Sequence, residues 1–476
     1  MKINKIVLIL IGISILTLGY FAFILYRTID NDIDLKTYLK STTIPQFKKN
    51  LVSDEKLNEE LVEKYNIKSL SINVQNFESL VRYRDSILTQ KEQIGLRKHK
   101  KFKANFDLDG KQYNGKIRLK GDTHVNYNQD IHLASFKVYF NDREYYVMPA
   151  FQELGFYGIF YYWYMNDIGF ISPKVEFVDL TINNQHVGCV LFIESFKDLN
   201  DRSMGSIHRF EDDCLELNYK LNASGFPRME AQEDFQNNET LILKKINQLK
   251  NRDSLKHVLD FEKWALYVAL GDLFMAHHTQ ECHNVKLFFN DSSLLFEPIA
   301  WDLGGNGKSM DNLSPRYFIN SYNQPIYEIL KEDPDFIYLY LDKLKKVIND
   351  NSFYKFTSKY SDHVNDLEGL LAGTGGFMYW ANDAYINNVN KLNQELNVKH
   401  KLSCSQSSNN GIVLIENNIS IPVTLTSINF GNDTIKTNRI IFQKDKLFFP
   451  EMTGKTITAF SYKVFQNDQL IHIDLK

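Results

Sequence analysis

Asn284 and Asp302 are the two residues whose types and separation best suit metal chemistry. They stand at the ends of what reads as a β-hairpin. Asn284 opens a strand over Val285 to Asn290, Asp291-Ser292-Ser293 makes the turn, and Leu294 to Ala300 returns toward Asp302, Leu303 and the paired Gly304 and Gly305. An amide and a carboxylate are hard oxygen donors, the kind that hold a divalent cation on a phosphate when they converge. Asn and Asp also close buried hairpins as ordinary turn and cap residues, so spacing alone leaves both readings open.

In protein kinases a catalytic-loop Asn and the Asp of an Asp-Phe-Gly segment stand one strand pair apart and hold the magnesium ions of ATP, and Asp302-Leu303-Gly304 reads as the second of these elements. The same spacing asks for a carboxylate five residues before the Asn. Here that position is Thr279, whose hydroxyl cannot accept a nucleophile's proton at neutral pH as a carboxylate can. Glu281 or His278 could reach the same space, or His283 could serve as base; otherwise catalysis is lost and the fold only binds nucleotide or a partner. A transition-metal site from His277, His278, Cys282, His283 and Asp302, giving a zinc-dependent hydrolase, is a distant third. His278 and His283 are five apart, not the one-turn spacing that lets two imidazoles share a zinc on a helix. Histidines at a helix end near Ala276 also complement its dipole.

Elements that would position these residues follow from hydrophobic period. Residues 30–101 are polar and helix-like and read as a connecting segment. From about Phe102 to Phe196 the period is two, as in Lys116 to Lys120, Phe136 to Phe140, Val175 to Ile182 and Gly188 to Ile193, with one aromatic helix inserted over Gly158 to Ile168. From Phe261 to Leu396 helical patterns dominate around the hairpin. A β-rich lobe followed by a helical lobe invites a cleft between them. After a polar, linker-like run over Ser403 to Gly411, short strands recur to the C-terminus as in a small β-sandwich, an accessory module over 402–476.

Composition is that of an ordinary globular chain, 43% hydrophobic and 24% charged. A net charge of -3 implies no nucleic-acid partner. The four cysteines lie far apart with no Cys-x-x-Cys pair, which excludes a zinc ribbon and a dense disulfide framework. Ile6 to Tyr26 is uncharged and apolar, about 21 residues and enough to cross a hydrocarbon core. Lys2 and Lys5 precede it, so residues 1–29 read as an uncleaved signal anchor with the bulk of the chain outside a bacterial inner membrane.

Several motifs together resemble the spore coat protein H (CotH) kinase family: RLKGDT from Arg118, SFKV from Ser135, ISPKVEFV from Ile171, INNQHVGCVLFIE from Ile182, then His283-Asn284 and IAWD ending at Asp302. The resemblance spans about 102–305, and it is the order and spacing of the elements that make it specific. It implies an α+β, atypical protein-kinase-like bilobal fold over 102–401, with a β-rich N-lobe that cradles ATP and a helical C-lobe. It also implies magnesium or manganese in the cleft and a secreted or envelope protein phosphorylated on Ser or Thr. Carried onto this chain, it gives Asn284 and Asp302 as metal ligands, Lys120 or Lys137 meeting the nucleotide phosphates, and Glu194 pairing with such a lysine or lining the hinge. The alternative is a catalytically silent relative that acts as a cell-envelope binding or assembly factor.

Overall fold

A computed structural model of the chain describes residues 59–89, 100–120, 130–149, 156–202, 205–209, 252–274, 284–301, 325–331, 333–351, 382–397, 402–407, 412–417, 422–441, 444–464 and 470–475, with isolated positions between 244 and 371. Three two-residue turns organise its first half. Asp109-Gly110, Asn141-Asp142 and Asn183-Asn184 all lie at φ between 47° and 78°, the type I′ backbone that Asn, Asp and Gly adopt most readily. They join β2 (Phe102–Leu108) to β3 (Lys111–Leu119), β4 (Phe136–Phe140) to β5 (Arg143–Met148), and β6 (Val175–Ile182) to β7 (Gln185–Glu194). With β1 (Lys68–Val74) these strands form a closed barrel in the order β1-β2-β3-β4-β5-β7-β6. Closure is a parallel pairing in which Lys68 faces Val178 and Ile72 faces Ile182. At Gly115 a side chain would meet the Tyr139 carbonyl at 2.0 Å, so only glycine lets β3 and β4 approach there.

Strand alternation turns Ile72, Val74, Ala104, Phe106, Ile117, Phe136, Val138, Val147, Leu180 and Val190 into one interior cluster, joined by Leu80 and Ile87 of α2 (Phe77–Thr89). The opposite faces of β5, β6 and β7 contribute Tyr146, Phe177 and Leu191 to a second, larger core shared with the helices. α3 (Phe156–Asp167) lies in that core and is apolar on every side, with Ile159, Phe160, Tyr162 and Met165 fully buried. Its Trp163 meets Phe177 of the barrel edge-on and its Tyr161 meets Phe274 of the helical body.

The helical body is built on α5 (Phe261–Leu273), capped by Asp260, whose side chain accepts from the Lys263 amide at 3.0 Å. α7 (Pro334–Asn349) packs on α5, with Asp333 as its cap and proline in its first turn. Asn388 of α8 (Asn382–Asn397) donates to the Asp272 and Leu273 carbonyls at 2.8 and 2.9 Å, satisfying two groups that the end of α5 leaves open. Shorter helices α1 (Glu59–Lys64), α4 (Phe196–Arg202) and α6 (Pro325–Lys331) complete the described set. The hairpin has the expected form, β9 (Lys286–Asn290) and β10 (Leu295–Pro298), and a further strand, β8 (Gly205–Arg209), pairs with β9. His208 on β8 sits between the Ser206 hydroxyl, 2.7 Å away, and the Phe296 ring, and burial pulls its pKa down to about 4.

The C-terminal unit has two antiparallel sheets. One is ordered β11 (Leu402–Ser407), β12 (Ile412–Asn417), β15 (Lys444–Phe448), the other β14 (Asp433–Ile441), β13 (Val423–Phe430), β16 (Ala459–Val464), β17 (Leu470–Asp474). Val413, Ile415, Leu425, Ile428, Phe460 and Tyr462 fill the space between them. Ile440 packs against the core of the helical body.

Three segments depart from the sequence reading. The connecting segment at 30–101 contains β1, whose buried Leu70, Ile72 and Val74 alternate with polar neighbours, so the barrel begins well before Phe102. β8 makes the hairpin three-stranded. Ser403 to Ser407, read as linker, is part of β11, because Leu402 and Cys404 point inward while Ser403 and Ser405 face water. The apolar run at 6–26 lies outside the described residues, and among those described no helix is long and apolar enough to cross a membrane.

Candidate functional site

Register decides which charged residues of the barrel meet. Lys137 is opposite Arg118 on one side and Tyr146 on the other, and Tyr139 is opposite Glu144. All five side chains therefore leave the outer face together. Lys137 is 6% exposed and its ammonium is ion-paired with Glu144. Burial lowers the Lys137 pKa; the Glu144 carboxylate opposes that shift, while Arg118 and Lys101 add to it. The ammonium also lies 5.3 Å from the Tyr139 ring centre and 5.6 Å from that of Tyr146. Arg118 donates to the Tyr139 hydroxyl at 2.7 Å and so fixes that ring. The backbone of Glu144 is held in turn, its amide donating to Asp198 of α4 at 2.9 Å.

Lys120 joins this group from the end of β3. Its ammonium is 5.0 Å from the Tyr146 ring centre, so one tyrosine is shared by two lysines, and 5.4 Å from that of Trp301. Trp301 is the link to the hairpin. Its ring meets Tyr146 of β5, Tyr162 of α3 and Phe196 of α4 at 5.5, 6.1 and 4.6 Å, and it is the residue immediately before Asp302.

The hairpin is pinned to the helical body by a buried carboxylate. Glu297, 3% exposed, accepts from Asn290 at 2.7 Å and from Lys263 of α5 at 2.5 Å, and the Trp264 indole donates to the Phe296 carbonyl at 3.0 Å. Main-chain pairing continues past β10, the Ile299 amide donating to the Lys286 carbonyl at 3.1 Å. Asn284 is buried at the mouth of this pair, 7% exposed. Thr279, before it, is 1% exposed, and its hydroxyl donates to the Ala276 carbonyl at 2.8 Å while Tyr267 donates to its own carbonyl at 3.2 Å. This threonine closes the turn after α5.

Of the residues singled out from sequence, Lys120 and Lys137 are thus gathered on one face beside Trp301. Glu194 is placed elsewhere. It is opposite Tyr145, one residue out of phase with the Lys137, Tyr146 and Ile193 row, and its carboxylate accepts from the Lys174 amide at 3.1 Å. The partner of Lys137 is Glu144, which sequence reasoning missed, although the Asn141-Asp142 turn carries the signal: a two-residue loop sets the register and brings 137 and 144 within diagonal reach. Glu281, His283 and Asp302 lie outside the described residues, as do His277, His278 and Cys282. Among the described residues no group of three or more His, Cys, Asp or Glu side chains is arranged to hold a metal ion.

The family model for CotH kinase protein matches residues 158–398, half of the chain. The chain belongs to the CotH kinase family. The match begins inside α3 and runs through α8, so it takes in the hairpin and the helical body. The stretch carrying Lys120, Lys137 and Glu144 precedes it. No match was found among curated proteins.

Proposed function

We propose that the outer face of the barrel at Lys120 and Lys137, with Asn284 and Asp302 of the hairpin, holds a nucleoside triphosphate and a divalent cation, magnesium or manganese, between two kinase-like lobes. The observation that carries this reading is the sharing of the Tyr146 ring by two ammonium groups, one of them almost fully buried, beside the tryptophan that precedes Asp302. Cations held on aromatic faces in a low-dielectric surface suit a polyphosphate, and an amide next to a carboxylate suits a hard cation. The kinase family supports ATP and a metal in general terms.

When bound, metal and nucleotide would supply a transferable phosphoryl group with its charge partly neutralised. The chain's own part is positional. Glu144 holds the Lys137 ammonium in place, Arg118 steadies the Tyr139 ring beneath it, and Trp301 with Tyr146 and Phe196 keeps water from the lysine side. The acceptor is a Ser or Thr of an envelope or secreted protein, reached from the outer side of a bacterial inner membrane to which residues 6–26 anchor the chain.

Thr279 favours a second reading, a relative that binds nucleotide or a partner without transfer and acts in envelope assembly. Its hydroxyl is buried and committed to the Ala276 carbonyl, so the position offers no proton acceptor; Glu281 and His283 are the remaining candidates for base. Calorimetry with magnesium-ATP on wild type and Asp302→Ala tests the site, with loss of metal-dependent binding expected in the variant. Equal affinities would remove Asp302 from it. Phosphate transfer to casein or to the chain itself then separates the two readings.

A further inference from the structure

The outer face of the sandwich's four-stranded sheet carries a hollow of about 560 Å³ that the nucleotide reading does not use. Irregular pairing on both sides of β13 makes it. Leu425 and Ser427 are opposite Arg439 and Lys436 of β14, so Thr426 stands against two residues, Thr437 and Asn438. On the other side β13 has the extra residue, because Leu425 and Ser427 are opposite the consecutive Tyr462 and Ser461 of β16. Bulges of this kind bend a strand and re-aim its side chains. Leu425 and Ile428 still enter the core, while Thr426, Ser427, Thr437 and Asn438 all line the hollow. The Thr426 hydroxyl donates across the bulge to the Ser461 carbonyl at 3.0 Å. Ser461 also lines the hollow, 6% exposed, with its hydroxyl 2.8 Å from the His472 ring.

The lining has one chemical character. Hydroxyls come from β13, β14 and β16, an amide from Asn438, and ammonium groups from Lys436 and Lys463. Among the described residues neither ammonium has an ion-pair or hydrogen-bond partner, and no carboxylate or aromatic ring lines the hollow. The two lysines stand on strands two spacings apart, about 10 Å, with the β13 hydroxyls on the strand between them. This positive charge is local, since the chain as a whole carries -3. A hollow of this size suits a short stretch of a polymer. Hydroxyls and an amide both donate and accept, as sugar hydroxyls do. Unpaired ammonium groups ask for anions, and the lysine stems with Leu470 offer small apolar patches to sugar C–H groups. An acidic peptide would instead pair its main chain along a strand edge or seek apolar pockets for its side chains, and Leu470 alone of the described lining residues is aliphatic. We propose that the sandwich binds an anionic glycan, a chain of sugars bearing carboxylate or sulfate groups, through Lys436 and Lys463. The site is independent of the nucleotide cleft.

Isothermal titration of the full chain with oligogalacturonate, dextran sulfate, neutral dextran and poly-glutamate tests this. One or both anionic glycans are expected to bind, which tells carboxylate from sulfate, and their affinity should fall with added sodium chloride. Neutral dextran should not bind, and poly-glutamate should bind at least about tenfold more weakly at equal charge. Lys436→Ala and Lys463→Ala are each expected to lose about tenfold, the worth of one charge-assisted contact. Lys455→Ala, which removes the same charge from the same module outside the hollow, should change affinity less than about twofold. Poly-glutamate binding as tightly as the glycans would overturn the sugar assignment, and dextran doing so would overturn the need for an anion. Losses in Lys455→Ala equal to those in the other two variants would reduce the effect to net charge and remove the site. Absence of binding by both anionic glycans would overturn the proposal outright.

Discussion

The barrel and the C-terminal sandwich share one building rule, an interior of alternate apolar residues, but differ in what their outer faces carry. On the barrel, Lys137 and Glu144 form an ion pair with side chains 7% and 20% exposed, roofed by Tyr139 and Tyr146. On the sandwich, Lys455 and Asp433 make a pair at 2.5 Å with side chains 47% and 53% exposed. Contact distance does not distinguish them. Desolvation does, because water screens the second pair and leaves it almost without consequence, whereas the first is a cation kept in a dry place that stability alone does not require. A buried ammonium on a face shared with aromatic rings is what the proposed nucleotide site requires; an exposed ion pair is ordinary surface.

The sharpest way to break this contrast is Glu144→Ala. It strands the Lys137 ammonium, and a loss of about 2 kcal/mol is expected in denaturant unfolding, below the fully buried case because Glu144 keeps some water contact. The double change Lys137→Met with Glu144→Leu should recover most of that stability, since no charge is then stranded, yet it should not recover nucleotide binding. A double variant that binds ATP as wild type does would separate Lys137 from the site.

Next in size is an acid limb that belongs to the body and not to the sandwich. The His208 pKa of about 4 lies below its unfolded value near 6.5. The unfolded chain therefore binds the proton first as pH falls, and stability drops between pH 6.5 and about 4 and levels off below. The expected drop is on the order of 1–2 kcal/mol after allowance for partial exposure. His208→Gln should flatten it, and a chain ending at Lys401 should retain it; an unchanged limb in His208→Gln assigns the effect to another group.

That shortened chain gives the third comparison. Among the described residues of the sandwich, Ile440 is the hydrophobic one that packs against the body's core, a contact worth no more than about 1 kcal/mol, so thermal unfolding of the barrel and body should shift by only a few degrees. An insoluble or grossly destabilised product would show the sandwich to be part of the body. Smallest is Lys455→Ala, expected within about 0.5 kcal/mol of wild type in the same assay. A cost like that of Glu144→Ala would end the distinction between the two faces.

What the sequence disclosed was whatever local period and local turns encode. The hairpin from Val285 to Ala300 and β4, β6 and α3 were legible because their residues alternate or cluster without outside help. β1 was hidden, since Lys68 to Val74 is flanked by polar helical segments and its partners, β2 and β6, come later in the chain. β11 was mistaken for a linker because its outward residues are serines. Within the proposed site, Asn284 and the lysines were found by residue type, while the pairing of Lys137 with Glu144 and the approach of Lys120 to Trp301 depend on register and on contact between distant segments. Thr279 was found as a missing carboxylate, but only its bond to the Ala276 carbonyl gives it a role, that of closing a turn.

The parallel pairing of β1 with β6 has a kinetic consequence. A chain made from its N-terminus produces β1 first, yet the strand that completes its pairing ends only at Ile182. Until β6 exists, β1 has one side without a partner and Leu70, Ile72 and Val74 have no finished interior to enter. Such distant closure gives the barrel a high contact order and a slow final step. Through synthesis the first strand remains an open template for any other extended chain nearby.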